Sequence, residues 1–151
     1  MKGEKLKLNK NKETLLLAIY VILGVASIIY AMVYHLVLKE IVARTYNIIP
    51  RFIYLLAVRP ILYYLIGAVL IIILFKFGNL KAENIKTIKT LSLIALIVLT
   101  AYILSVIFSF ANFINARFIS NISRIYTSYP IIFAITGLLL TLGFYVEYKG
   151  E

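Results

Sequence analysis

Aspartate, cysteine, tryptophan and glutamine are missing from this 151-residue chain, and His35 is its sole histidine. Each absence removes a class of chemistry. Without cysteine there is no disulfide framework, thiol redox centre or thiolate metal site. With one imidazole and only Glu40 near it, a tetrahedral metal site has too few ligands. A Ser–His–Asp arrangement has no aspartate to orient its base, and the six glutamates are too scattered to pair for acid–base work. No glycine-rich phosphate loop is present. The expectation is a protein that is not an enzyme and carries no metal or cofactor. An enzyme built on His35 and Glu40 is the weakest reading.

What fills the space is hydrocarbon. Hydrophobic residues make up 63% of the chain, against about 45–50% in an ordinary soluble domain. They gather in four runs, 15–38, 60–77, 91–113 and 130–146. Each is close to the roughly 20 residues a helix needs to cross a bilayer. No acid falls within any run, and intramembrane acids are the usual mark of proton relays and ion pathways. The first run is too long for a cleaved signal, whose apolar core is about 7–15 residues, so it reads as a retained span. The expected fold is all-α: an antiparallel bundle of four transmembrane helices (15–148) behind a basic cytoplasmic tail (1–14). Residues 41–58 mix apolar side chains with Pro50 and Arg51, which suggests an amphipathic helix in the outer interface. The second span then begins at Pro60, since proline suits a first helical turn. The competing reading starts that span at Phe52 and takes Arg59 into the bilayer.

A net charge of +10 would ordinarily raise nucleic acid as a partner. Here the cations flank apolar runs, so nucleic acid is not expected. Ten lysines lie in the tail, the 76–89 connection and the C-terminus, against six cationic residues in the other connections. That excess puts both termini in the cytoplasm of a multi-pass cell-membrane protein. All five arginines, Arg44, Arg51, Arg59, Arg117 and Arg124, fall on the outer side among aromatic residues. Arginine binds phosphate bidentately and stacks on rings, so anionic lipid headgroups are their expected partners.

Two ridges of small residues mark candidate packing faces. Ala101, Ser105 and Ser109 recur every four residues in the third run; Ala134, Gly137 and Thr141 form a similar face in the fourth. Such ridges let helices approach closely in a bilayer, either each other or another subunit. A faint repeat accompanies them. Pro60 precedes Gly67 by seven residues, as Pro130 precedes Gly137, and Arg-Phe-Ile occurs at 51–53 and 117–119. Glu40 and Arg44, four apart, read as a surface ion pair, and the Asn121-Ile122-Ser123 sequon as a chance match. The expected role is a non-catalytic accessory or scaffold subunit of a larger membrane complex, joined to other transmembrane subunits. The alternative is a small homo-oligomeric channel or transporter lined by Ser105, Ser109, Asn112 and Thr136.

Overall fold

Long Ile/Leu/Val runs without acids leave the backbone to satisfy itself, which in an apolar setting means helix. The computed structural model describes residues 2–47, 49–77, 85–111, 124–126 and 128–149, and side-chain surroundings for 14–47, 49–74, 86–108, 124–126 and 128–145. Among these there is no strand. The main elements are α1 (Lys2–Val33), α2 (Lys39–Thr45), α3 (Ile49–Ile53), α4 (Arg59–Phe77), α5 (Ile85–Ala111) and α6 (Ile131–Lys149). Two π-helical segments, Tyr34–Leu38 and Tyr54–Val58, join α1 to α2 and α3 to α4 without a break, because the flanking residues keep right-handed helical angles. The result is two continuous rods.

The rods meet in a short turn. Tyr46 adopts the left-handed conformation (φ 56°), and its N–H closes the first rod on the Val42 carbonyl. The Thr45 hydroxyl donates to the Ile41 carbonyl, and Asn47 Oδ1 accepts the Ile49 N–H to open the second rod. Pro50 follows within the first turn, where its missing N–H costs no helical bond.

Among the described residues three helices are long and apolar enough to cross a membrane: Thr14–Thr45, Ile49–Leu74 and Lys86–Phe108. The fourth, with apolar residues Ile131–Tyr145, is shorter. The helix that carries the second run therefore starts at Ile49 rather than at Pro60, and 41–58 is not one separate helix. It is the two rod ends and their turn. The polar interruptions in this stretch suggest an element boundary, but a helix already under way tolerates an arginine and a proline when neighbours supply the missing bond. Arg59 is half-buried inside the second rod. Its neighbour Pro60 has no N–H to return to the Leu56 carbonyl, and the Tyr102 hydroxyl of α5 donates there instead, at 2.6 Å.

Helices α1 and α4 run antiparallel, with Tyr20 beside Tyr64 and Tyr34 beside Tyr54. Likewise α5 and α6 are antiparallel, Ser92 meeting Gly143 and Tyr102 meeting Phe133. Between the two hairpins α4 and α6 lie parallel, Tyr64 against Gly137 and Gly67 against Leu138. The apolar core follows this central pair, with Ile71 and Tyr145 buried among Ile72, Leu138 and Leu142.

Candidate helix-packing site

The central crossing is set by two glycines acting reciprocally. A Cβ on Gly67 would overlap the Ala134 carbonyl oxygen, and one on Gly137 would overlap the Tyr64 carbonyl oxygen. Each glycine thus lies on the partner backbone three residues before the partner's glycine. With only hydrogen on Cα, the backbones come close enough for van der Waals contact and Cα–H···O attraction, a weak term that recurs at helix interfaces. These are the two glycines that stand seven residues after a proline in the faint repeat, and the fold brings them to one point.

Beside the crossing three hydroxyls converge from three helices. Tyr20 of α1 lies 3.2 Å from the Tyr64 hydroxyl and 3.1 Å from Thr141 Oγ1. Thr141 is fully buried, so its hydroxyl would be costly without these partners. The rings of Tyr20 and Tyr64 meet edge to face at 6.0 Å. A second, aromatic cluster closes the other flank: Tyr102 packs on Phe133 at 4.7 Å and on Tyr126 at 4.9 Å. Tyr126 donates to the Val98 carbonyl at 3.4 Å, and partial burial raises its phenol pKa above the ordinary value, which keeps the proton in place. Tyr30 likewise donates to the Pro50 carbonyl at 3.3 Å. Among the described residues no buried side-chain polar atom lacks a partner.

The ridge residues fall in different places. Ala134, Gly137 and Thr141 belong to the central assembly, facing α4 and α1. Ser105 is buried and donates to the Tyr102 carbonyl at 2.7 Å. Ala101 is exposed, and the side chain of Ser109 lies outside those described. Contact between α5 and α6 includes Gly143, where a Cβ would overlap the Ser92 side chain. Thr136, buried, bonds to the Ile132 carbonyl of its own helix at 2.7 Å.

Of the arginines, Arg44 and Arg51 are exposed near the turn, Arg59 is half-buried, and Arg124 is exposed in a short helical piece. Arg117, Asn112 and the 121–123 sequon lie outside the described residues. Arg44 Nη2 stands 3.6 Å from Glu40 Oε2, both side chains largely in the open. Among the described residues no group of three metal-ligating side chains occurs.

Sequence reading missed the Gly67 and Ser92 contacts, the hydroxyl triad and the Tyr102–Leu56 bond. Gly67 was visible as half of the proline–glycine spacing. The others carried no sequence signal, because each partner lies tens of residues away.

On the opposite flank the packing is loose. A Cβ added to Gly24 of α1 would meet only Leu65 Cδ1, at 3.5 Å, an ordinary van der Waals contact. An apolar groove of about 680 Å³ runs between α1 and α4, walled by Leu17, Val21, Gly24, Leu62, Ile66 and Val69 among others. A smaller hollow of about 340 Å³ lies between α4 and α5, beside Pro60, Tyr64 and Tyr102. No family model, curated protein or solved structure matches this chain.

Proposed function

We propose that this chain is a non-catalytic accessory or scaffold subunit of a larger membrane assembly. In this reading its four helices form a transmembrane bundle in the cell membrane, both termini are cytoplasmic, and the arginines near the turn meet anionic headgroups. The observation that carries it is the contrast between the sealed central pair and the open flank of α1. Glycine contacts hold α4 against α6, while the most apolar stretch of the first rod, within Thr14–Thr45, is almost wholly unburied. Beside it the 680 Å³ groove presents an almost wholly apolar wall with Gly24 in its lining, suited to a helix from another subunit. Inside the bundle Tyr20, Tyr64, Thr141 and Tyr102 bond across helices, which supports a role exercised through contacts.

The homo-oligomeric channel is less well supported. Two of its expected lining residues, Ser105 and Thr136, are buried and bonded to carbonyls of their own helices.

Purification of the full chain from its native membrane in mild detergent, followed by native mass spectrometry, separates the two readings. The subunit reading expects a defined stoichiometric complex with unrelated chains, and expects Gly24→Leu to release them while the chain itself stays folded. A symmetric homo-oligomer that passes ions in liposomes would overturn it.

A further inference from the structure

Arg59 is half-buried, whereas Arg44, Arg51 and Arg124 are exposed. It stands about 15 Å inside the second rod, which begins at Ile49. Its guanidinium makes no hydrogen bond or ion pair among the described residues. The chain also offers it no acid. Glu40 lies beyond Tyr34 toward the Tyr46 turn, about 16 Å along the rods from Arg59, and already stands beside Arg44. The other five glutamates belong to the opposite end. Glu4 and Glu13 fall early in α1 and Glu147 late in α6. Glu83 and Glu151 lie outside the described residues, each two positions from a helix end on that far side.

Helix geometry places this cation against the groove between α1 and α4. From Arg59 to Phe77 the rod is α-helical, so Arg59, Tyr63, Ile66 and Leu70, at i, i+4, i+7 and i+11, share one face. Ile66 and Leu70 line the groove. Arg59 and Tyr63 continue the same stripe above it. Tyr63 is also half-buried, and its hydroxyl has no hydrogen bond among the described residues. Along α4 the groove runs from Leu62 to Leu74, a rise of about 18 Å. A helix that crosses a bilayer covers roughly 30 Å. Below Leu74 only three residues of the rod remain, so the excess runs upward, past Tyr63 and Arg59. Covering a half-buried cation with hydrocarbon alone is costly, and ionisable groups inside membranes pair with one another. Resting on the subunit reading above, we infer that the partner's transmembrane helix carries a carboxylate at the level of Arg59. That carboxylate pairs with the guanidinium and accepts a hydrogen bond from the Tyr63 hydroxyl. The apolar wall and Gly24 then supply packing surface, and Arg59 sets the partner's register.

Photo-crosslinking of the full chain in its native membrane tests this. Tyr63→p-benzoylphenylalanine should capture a transmembrane segment of another chain, with an aspartate or glutamate within one helical turn of the captured residue. Should that variant fail to fold, Ile66→p-benzoylphenylalanine on the same stripe gives the same reading. Arg59→Gln should lower recovery of the captured chain in mild detergent by about tenfold or more, because its carboxylate is left unpaired. Arg59→Lys keeps the charge and should restore part of the loss. Changing the captured carboxylate to its amide should cost as much as Arg59→Gln, and both changes together no more than either. Unfolding of the isolated chain in micelles should not move with Arg59→Gln, which separates lost pairing from lost fold. A captured segment without a carboxylate, capture of phospholipid alone, or full recovery with Arg59→Gln overturns the inference and leaves the subunit reading standing. If the unsubstituted chain recovers no other chain, the subunit reading fails and this inference falls with it.

Discussion

Helix α4 packs against both α6 and α1 and treats them differently. Against α6 it is sealed, backbone on backbone, through Gly67 and Gly137. Against α1 it leaves an open groove, although α1 also has a glycine at mid-length, Gly24. A glycine therefore makes a close crossing only where the partner offers backbone at the same level. Opposite Gly67 stands the Ala134 carbonyl; opposite Gly24 stands the end of the Leu65 side chain.

The largest expected effect breaks the sealed side. Gly67→Ala or Gly137→Ala forces a methyl into a carbonyl that cannot move without its helix, and should cost about 3 kcal/mol, the upper range for overpacking. Unfolding in mixed micelles measures it, and the double variant should cost less than the two singles combined, since helices already parted accept the second methyl freely. Gly24→Ala on the open side should do the reverse. It removes a helix-weakening glycine with no clash, so stability stays level or rises by up to about 1 kcal/mol. A cost at Gly24 equal to that at Gly67 would erase the contrast.

Gly143→Ala sharpens it. Its obstacle is the Ser92 side chain rather than backbone, so a loss of about 1–2 kcal/mol is expected, restored by Ser92→Gly. No side-chain change should rescue Gly67→Ala. A comparable effect is expected at the proline. Tyr102→Phe should cost about 1–2 kcal/mol, because it strands the Leu56 carbonyl, yet almost nothing when Pro60→Ala has returned an N–H to it. A full double-mutant cycle reads this coupling directly. Smaller still, Thr141→Val should cost about 0.6 kcal/mol, the mean for interhelical polar contacts in membranes. Glu40→Gln, at an exposed ion pair, should fall within about 0.5 kcal/mol.

How much of this was legible depends on whether the cause was local. The apolar runs and their helical state were, since both follow from composition along a single stretch. The Glu40–Arg44 pair was, because four residues of spacing on a helix bring the two side chains to one face. The helix of the second run starts at Ile49 rather than at Pro60, because a proline's own missing bond does not by itself end a helix. The tyrosine that replaces that bond arrives from α5, 46 residues away. Gly137 and Thr141 were singled out for their small size, and they do lie at a crossing. The sequence left their ridge open to the third run or to another subunit, and in the fold it faces α4 and α1. Spacing tells which residues share a face, but not which neighbour that face meets.

By itself the sequence determined an all-helical chain with helices apolar enough to cross a membrane, because hydrophobic length and the demand for internal backbone bonding act within each segment. Tertiary structure alone decided which glycine closes a seam and which borders a groove. It also decided where three hydroxyls meet, and that the two π-helical segments touch through Tyr34 and Tyr54. Each of those outcomes needs a backbone or a ring contributed by a different helix, and no property of one segment specifies what stands opposite.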